Sequence, residues 1–595
     1  MKLYNIFKGV MVGVLALSFV SCQDFLTRPN EDGYNTGNFY KTDAQCIQGV
    51  NYLYNSPWYD FQRGFINVGE VMSGNMYKGD NKYLDFSVNA TDTDLMNMSY
   101  SLWAVNSHAN TVIANIRAAE GPSQAVKNQC IGEALTLKAL AYFFMVRSFG
   151  EVPIVHDNNE LLNSGEYNNL KKVTKANVYE YIIITLEKAM ELLPKKTSGW
   201  DNRIDYYAAE GLLAKVYLTK AGVSGSLDAA DLAKAAEYAK DVIDNSGRTL
   251  TPVYSDVFRL APAVYNQTGE PMISWMWSVG RDPWTQQNTL QSDLAMVGFS
   301  DQGDCWGGYT GPSVDLMEAF GVSPVQKPSA RTGDRDSRRK ATMMMAGDKY
   351  DCFWTDKGGF DFLKFLFDGG YGKGGPGKLQ APCGANNVKH LYGNDADHVA
   401  ALGKTPQNMA YELPTHILRL SDVYLVYAEA VYDTDPAAAL EYVNKVRARA
   451  FGEYYETDGK LTELTREAIW KERRLEFAGE GDYWYDFVRR SYFQMDEVID
   501  ELSKQKRNAW WNLNDLYEKY YDGGKYTEAN WVVVTESSDS DAVLHIYDED
   551  TVVPPPSAKS FTLPFPQEDV VFNPNLASTV PAEEVDIRAT YAYNF

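Results

Sequence analysis

The sequence is poor in the residues that build covalent or metal cross-links. It holds six cysteines and six histidines in 595 residues. Beyond Cys22, the remaining cysteines number five and form no CxxC pair; they are Cys46, Cys130, Cys305, Cys352 and Cys383. An odd count with wide spacing argues against a disulfide framework and against a zinc site, and a chain of this length can bury its own core without such staples.

The sequence also lacks the usual catalytic motifs. It contains no HExxH and no GxSxG. The run Gly370–Gly375 matches GxGxxG, but Pro376 removes an amide that would cradle phosphate and Leu379 stands where a P-loop needs Ser or Thr. We therefore expect no catalytic residues, although a glycoside hydrolase remains the alternative, since 79 acidic residues guarantee carboxylate pairs somewhere. Asp92–Asp94 lacks the glycine and distal glutamate of an EF-hand loop, so we expect no metal site and no cofactor.

Positive charge is scarce. The chain has 56 basic and 79 acidic residues and a formal net charge of −23. Such a surface disfavours nucleic acid as a partner and also disfavours polyanionic ligands such as heavily sulfated glycans.

Long apolar runs are missing as well, except near the N-terminus. Val10–Val20 follows Lys2 and Lys8 and ends just before Ser21 and Cys22. Its apolar core is too short to span a bilayer, which needs about 20 residues, and the pattern is that of a bacterial lipoprotein signal. We predict that residues 1–21 are removed, which lowers the net charge to −25 because two lysines and no acids are lost. The alternative is an ordinary secretory signal with a chance cysteine.

We predict that Cys22 then becomes the acylated first residue, which anchors the protein in a membrane. Residues 22–42 are polar and rich in turn formers, and they are predicted to be a tether leading into the folded body. A lasting anchor requires more than one acyl chain, because a single chain binds membranes only marginally.

Helical periodicity dominates the rest, which predicts a mainly α fold. Residues 128–149 become apolar on nearly all sides from Ala139 to Val146, as in a helix buried within a larger assembly. Residues 206–246 resemble a tetratricopeptide helix pair, with small residues such as Gly211 that allow close packing.

A similar helix pair recurs at 415–450, where Pro436 opens the second helix. We expect a helical-repeat scaffold with an N-terminal part at 43–250 and a C-terminal part at 413–507. The Gly-, Pro- and Trp-rich residues 251–412 are predicted to form a loop-rich, ligand-binding insertion bearing short strands at 272–279 and 360–367. Residues 508–595 are predicted to be an irregular segment that packs on the scaffold.

Aromatic rings in glycine- and proline-rich loops are the candidates for ligand binding. Trp306 and Tyr309 lie in a loop whose glycines form no helix or strand that would bury the rings, and Trp284 follows Pro283 in a similar setting. Flat rings beside polar groups suit the faces and hydroxyls of sugars. The alternative is that each ring is buried within its own loop and does not contact a ligand.

Asp80, Asn81 and Tyr83 are the candidates for the polar side of such a site, because they offer acceptors, donors and a ring within a short stretch. A plain surface turn is the alternative.

Short motifs spread over most of the chain resemble those of the SusD-like (SusD/RagB) outer-membrane lipoproteins of Bacteroidetes. Their order and spacing are specific, although each motif alone is weak. Asp482 and Tyr483 are a small departure, since the family usually has Arg after the preceding Glu-Gly. The motifs are Cys22–Leu26, Ile131–Ala134, Phe149–Pro153, Ala214–Leu218, Arg419–Val423, Tyr427–Ala430, Asn444–Ala450, Glu472–Phe477, Glu480–Gly481, Pro564–Gln567 and Asn573–Asn575.

The resemblance implies a tetratricopeptide-like scaffold anchored at the outer membrane, facing the cell exterior, that binds a glycan and passes it to a TonB-dependent (SusC-like) transporter without catalysis. Some members of the family capture peptides instead, which leaves a peptide ligand as the alternative. The resemblance also points to the loop of Trp306 and Tyr309. The charged motif residues are expected to form internal ion-pair and capping networks; they are Asp422, Glu429, Arg447, Arg449, Glu472, Arg473 and Glu476.

Overall fold

The computed structural model describes residues 39–79, 81–275, 290–300, 307–367, 383–406, 411–513, 517–518, 520, 543–545 and 553–595. The α-helices within these ranges are α1 (Asp43–Asn51), α2 (Gln62–Ile66), α3 (Thr93–Ala118), α4 (Gln124–Phe149), α5 (Asn158–Ser164), α6 (Lys175–Leu192), α7 (Tyr206–Lys220), α8 (Ala229–Asn245), α9 (Pro262–Thr268), α10 (Leu290–Leu294), α11 (Val314–Ala319), α12 (Ser337–Thr342), α13 (Phe362–Phe367), α14 (Asp395–Leu402), α15 (Leu420–Val431), α16 (Pro436–Phe451), α17 (Arg466–Phe477), α18 (Tyr483–Ser491), α19 (Met495–Lys504), α20 (Gln567–Phe572) and α21 (Ile587–Thr590).

The strands are short and pair antiparallel in twos. β1 pairs with β3, β2 with β8, β4 with β7, β5 with β6 and β9 with β10. Their bounds are β1 (Met76–Tyr77), β2 (Pro271–Trp275), β3 (Gly311–Pro312), β4 (Met343–Met345), β5 (Lys349–Tyr350), β6 (Phe360–Asp361), β7 (Ala385–Asn387), β8 (Thr415–Arg419), β9 (Trp510–Asn512) and β10 (Val543–His545).

The long helices form a repeat scaffold that continues across an insertion. α3, α4, α6, α7 and α8 pack in chain order, each against the next. α8 then packs against α15, and α15 against α16, although residues 246–419 separate α8 from α15. Strands β2 and β8 pair across the base of the intervening segment. The fold is therefore mainly α, with a tetratricopeptide-like scaffold interrupted by a segment of short strands and loops, as the sequence predicts.

Helix α4 is the central core element. It begins at the Ser123 cap, whose hydroxyl accepts the amide of Val126, and ends at Gly150, where φ is +74°. Its length and composition would allow a membrane span, but 94% of its most apolar stretch is buried inside the protein. The prediction of a buried helix at 128–149 is confirmed.

Small residues set the distance between scaffold helices. A side chain at Gly211 in α7 would lie 3.0 Å from Met272 and 3.1 Å from Val423, so α7 packs closely on β2 and α15. In the second pair, Pro436 occupies the first turn of α16 and the Asp435 side chain accepts the amide of Ala438. Both predicted helix pairs form, but the second begins at Leu420 and not at 415, because residues 415–419 form strand β8 and pair with β2.

The prediction of a strand at 360–367 is wrong. Only β6 is extended, and the chain then turns into α13 because the carboxylate of Asp361 accepts the amide of Lys364 at 3.0 Å. The apolar residues of α13 are buried together on a short helix, and a short apolar run does not distinguish a buried helix from a strand.

Residues 553–595 lie against the N-terminal helices. Phe565 stacks on Phe149 with ring centroids 5.1 Å apart, and the amide of Leu563 donates to the carbonyl of Ser148. Further along, the Tyr593 hydroxyl lies 3.0 Å from that of Thr185 in α6. The C-terminal segment therefore covers one side of the scaffold.

Candidate functional site

Strands β1 and β3 join two segments that the sequence singled out separately. Met76 faces Pro312 and Tyr77 faces Gly311. In an antiparallel pair the residues that follow one strand lie beside those that precede the other, so the turn after Lys78 lies next to the loop that carries Tyr309. We call this surface the Tyr309 face, made of residues 78–79, 81 and 307–310 with the described side chains that surround them.

Tyr309 is the exposed ring of this face. Its side chain is 60% exposed. The preceding Gly308 has a φ of +84° and donates its amide to the carbonyl of Asp293 at 3.2 Å, while Gly307 packs so closely on that carbonyl that a side chain would not fit. The two glycines hold the loop against α10 and turn the ring outward.

A chain of polar side chains lies beside this loop. Lys78 donates to the Asn67 amide oxygen at 3.0 Å, and Asn67 donates to Asp94 at 2.8 Å. Arg63 lies 3.4 Å from the other oxygen of Asp94, with its side chain 65% exposed. Burial lowers the pKa of Lys78, an effect that the nearby carboxylates of Asp94 and Asp293 oppose. The chain presents both donors and acceptors next to the exposed ring.

A second ring belongs to the same surroundings. Tyr59 is 38% exposed, and its pKa is raised by burial and then by the charges of Asp60 and Asp293. Asp293 therefore lies electrostatically close to Tyr59, to Lys78 and, through its carbonyl, to the Tyr309 loop.

The structure corrects the assignment of Tyr83. Its side chain is only 2% exposed, and its hydroxyl donates to Asp92 at 2.8 Å. Burial and this carboxylate raise the Tyr83 pKa. Asn81 is half-buried and accepts the Tyr83 amide at 2.9 Å, which fixes the turn. Tyr83 is thus a packing residue that anchors the turn, and its ring is not offered to a ligand.

Four predicted residues fall outside the part of the chain that the structure describes. They are Cys22, Asp80, Trp284 and Trp306.

Sequence reasoning missed most of the polar chain. Arg63 and Asn67 are four residues apart, a spacing that places both on one helical face, but nothing in the sequence indicates that this face meets Asp94 and Lys78. Those contacts join segments 11 to 31 residues apart. Of these residues, only Lys78 lies next to a segment that the sequence singled out, two positions before Asp80.

Helix α17 fixes the base of the Tyr309 face. Arg474 donates to the Asn75 side chain at 2.9 Å and pairs with Asp315 at 2.7 Å. The Asn75 carbonyl in turn accepts the amide of Ser313 at 2.9 Å, which extends the β1–β3 pairing. The buried Glu70 accepts both the Asn75 amide group and the backbone amide of Gly481.

The charged motif residues form a buried ion-pair cluster, which confirms the sequence prediction. Arg419 is its centre, with Glu270 at 3.0 Å, Glu476 at 2.9 Å and Glu480 at 2.8 Å. The surrounding arginines hold the pKa of Glu476 at about 2 despite its burial. Further pairs include Arg449 with Glu270 and Glu476, Arg447 with Glu472, Arg473 with Asp422 and Arg489 with Glu429. These side chains connect helices and are not available to a ligand.

The described residues contain no group of three or more His, Cys, Asp or Glu side chains that could hold a metal ion. Asp92 and Asp94 have structural partners instead, since Asp92 caps α3 and Asp94 binds Asn67.

Comparison with known proteins decides the family. A model described as "SusD family" matches residues 277–581, and one described as "Starch-binding associating with outer membrane" matches residues 47–218. A SusD-like protein of Bacteroides ovatus is 30% identical over 599 aligned positions, covering 97% of this chain and 98% of the relative. The chain belongs to the SusD family.

Solved structures of similar proteins agree with the SusD-like fold. A crystal structure with a xylogluco-oligosaccharide has a TM-score of 0.71 and 27% identity, covering 91% of this chain and 99% of the other. A laminarin-binding SusD-like protein has a TM-score of 0.57 and 21% identity, covering 78% of this chain and 95% of the other. The first family match includes β3 and Tyr309, and the second includes the polar chain from Arg63 to Asp94.

Proposed function

We propose that this SusD-like protein binds a glycan on the Tyr309 face and delivers it, without catalysis, to a TonB-dependent transporter of the outer membrane. The observation that carries the proposal is the pairing of β1 with β3, which places a ring that is 60% exposed beside the donors and acceptors of the Arg63–Asp94–Asn67–Lys78 chain. A ring face packs on the C–H face of a sugar, and the polar groups beside it bond the hydroxyls.

Relatives support a carbohydrate ligand. One similar structure holds a xylogluco-oligosaccharide and another is named for laminarin, both of which are glycans. The net charge of −23 favours an uncharged glycan over an acidic one. Trp284, Trp306, Asp80 and Asn81 remain proposed ligand contacts around the same face, with residues 251–412 as the ligand-binding insertion.

The proposed cellular setting follows from the N-terminus. Acylated Cys22 anchors the protein in outer-membrane lipid, residues 22–42 act as the tether, and the body faces the cell exterior beside its transporter. The family description that includes outer-membrane association supports this setting. Substitution Cys22→Ala should release the protein from the membrane fraction and reduce co-purification of a transporter, and co-purification that does not depend on Cys22 would contradict the role of the anchor.

Binding of the soluble form that lacks residues 1–22 tests the ligand class. The panel contains xylogluco-oligosaccharides, laminari-oligosaccharides, a sulfated glycan and mixed peptides, and calorimetry measures affinity. We expect a neutral glycan to bind, Tyr309→Ala and Trp306→Ala to weaken it, and Tyr454→Ala to leave it unchanged. Tyr454 is a matched control because it is 40% exposed and lies over Arg335, apart from the Tyr309 face.

Two outcomes would overturn the proposal. Binding of peptides with no binding of any glycan would assign the face to a peptide ligand. Release of shorter products from a bound glycan, followed by chromatography, would assign the protein to the glycoside hydrolases.

A further inference from the structure

A second groove lies outside the Tyr309 face, between α3, the segment around Tyr167 and the C-terminal helix α20. It encloses about 550 Å³, a volume within the range of sites that bind small ligands. Tyr100, Tyr167 and Phe572 line it and are 68%, 47% and 59% exposed. Tyr167 and Phe572 stack with centroids 6.1 Å apart and planes 26° apart, so they present a continuous aromatic wall. We call this the α3–α20 groove.

Several polar groups in the α3–α20 groove are unused. The Asn97 amide and the hydroxyls of Tyr100 and Tyr167 make no hydrogen bond to any residue that the structure describes. Asp569 uses one carboxylate oxygen to accept the Ser99 hydroxyl at 2.7 Å, and Glu568 lies beside it. A protein surface docked over this groove would bury these groups and would need a partner for each, whereas sugar hydroxyls can both donate to and accept from them.

The charge of the groove limits the chemical class of ligand that it can bind. Glu568 and Asp569 are its acidic side chains, and no Lys, Arg or His occurs among the described residues that line it. Burial and the Glu568 charge raise the pKa of Asp569, an effect of two carboxylates close together in a partly dry site. Uronic acids and sulfated sugars would be repelled here, and neutral hexoses would not.

The groove shares helix α3 with the polar chain of the Tyr309 face. Asp94, a member of that chain, and Asn97, in the groove, are three residues apart on α3 and therefore share a helix face. The rise from Asp94 to Tyr100 along α3 is about 9 Å. A single glycan chain a few sugars long can therefore extend from one surface to the other.

We propose that the α3–α20 groove is a second carbohydrate-binding site, which takes a neutral hexose-based segment of the same glycan that the Tyr309 face binds. The inference rests on the proposed function. Tyr100 and the Tyr167–Phe572 pair stack on sugar rings, and Asn97, Glu568 and Asp569 bond their hydroxyls. Two linked contacts raise the affinity for a long chain above that for a short one, since the second contact forms at a high effective concentration.

Calorimetry with a short neutral oligosaccharide tests the number of sites. The probes are disaccharides derived from xyloglucan and from laminarin, which are too short to bridge both surfaces, and the protein is the soluble form that lacks residues 1–22. We expect two molecules bound per wild-type protein, and one for Tyr309→Ala and for the double variant Tyr100→Ala, Phe572→Ala. Tyr454→Ala should still bind two, and Asn97→Ala, which removes no ring, should weaken the groove contact without changing thermal unfolding.

Retention of the matching polysaccharide in affinity electrophoresis gives a second readout. The double variant should bind the long chain about tenfold more weakly than wild type, which corresponds to about 1.4 kcal/mol. One molecule bound per wild-type protein, together with unchanged retention of the double variant, would overturn the second site and leave the Tyr309 face standing. No glycan binding by wild type would overturn both. Loss of transporter co-purification in the double variant, with two oligosaccharides still bound, would make the groove a protein contact and overturn the inference.

Discussion

The buried ion-pair cluster around Arg419 and the Tyr309 face use the same kinds of residue for opposite purposes. In the cluster, the Arg419 side chain is 1% exposed and its guanidinium contacts three carboxylates within 3.0 Å. In the Tyr309 face, Arg63 is 65% exposed and has one carboxylate partner at 3.4 Å. A charge that is paired on every side holds helices together, whereas one that keeps free donors at the surface can bond a ligand.

The aromatic residues divide in the same way. Tyr83 and Tyr309 both lie in turns at the Tyr309 face, yet Tyr83 is 2% exposed and hydrogen-bonded to Asp92, while Tyr309 is 60% exposed. Residue type and local turn propensity are alike for the two, so burial in the folded protein decides which of them can contact a ligand.

The largest effect is expected from breaking the cluster. Arg419→Ala removes the one guanidinium that Glu270, Glu476 and Glu480 share. Arg449 and Lys389 remain beside these buried carboxylates but do not replace its central charge, so the free energy of unfolding should fall by about 3 kcal/mol. Denaturant unfolding measures the loss. The control Arg588→Ala removes an exposed arginine paired with Glu180 and should cost less than about 1 kcal/mol. Equal losses for the two variants would contradict the distinction between buried and exposed charge.

Acid should lower the stability of the protein mainly through the cluster and much less through the exposed pairs. The folded-state pKa of Glu476 is about 2, below its ordinary value of 4.5. The unfolded chain therefore binds more protons between these values, so this contribution is complete above pH 4.5 and is lost as the pH falls toward 2. The loss is on the order of 3 kcal/mol for this group. Urea unfolding at successive pH values measures it.

Asp458 provides the control for the acid series. It pairs with Arg335 at 2.7 Å, and the hydrogen bonds from Thr457 and Arg335 lower its pKa. Because it is exposed to solvent, Asp458→Asn should change the acid limb of the stability curve far less than the loss assigned to Glu476. A wild-type stability that stays constant between pH 4.5 and 2 would contradict the role given to Glu476.

A smaller effect, confined to binding, is expected at the Tyr309 face. Tyr309→Ala removes a side chain that is 60% exposed, so the free energy of unfolding should change by less than about 0.5 kcal/mol. Glycan affinity should fall about tenfold, or about 1.4 kcal/mol, because the stacking surface is lost. Denaturant unfolding measures the stability of the variant, and calorimetry measures its glycan affinity. A variant that unfolds more easily but binds normally would place Tyr309 with the packing residues.

The smallest effect is expected at Lys82. Its side chain is 50% exposed and lies 3.7 Å from Asp92. An ion pair with so exposed a partner contributes less than about 1 kcal/mol to stability. Lys82→Ala should change both glycan affinity and stability by no more than about twofold in the corresponding equilibrium constant. A tenfold loss of affinity would add Lys82 to the direct ligand contacts.

Helices with sustained apolar periodicity, or with clear capping and helix-ending residues, could be predicted from the sequence. The buried helix α4, the small-residue packing of α7 and the interrupted repeat all follow from apolar periodicity, Gly211 and Pro436. The ion-pair role of the charged motif residues was expected as well, since that many charges at helical spacing in apolar helices must pair to be buried.

The rest depends on contacts between distant segments. The run at Phe362–Phe367 is short and apolar except for Lys364, so its period could not separate strand from helix; in the structure the Asp361 carboxylate caps it as a helix. Glycines indicated that the Tyr309 loop is irregular, and the structure then showed that the Tyr309 ring is exposed. Arg63, Asn67 and Asp94 become one polar chain only after α2 packs on α3, which no local pattern reveals.

Hydrogen–deuterium exchange with and without a bound neutral oligosaccharide tests the Tyr309 face most directly. The account predicts that peptides covering residues 77–83 and 307–312 gain protection together when the glycan binds, because β1 and β3 place them on one surface. Peptides covering residues 472–480 in the ion-pair cluster should not change. Protection of only one of the two segments, or protection confined to the cluster, would contradict the account.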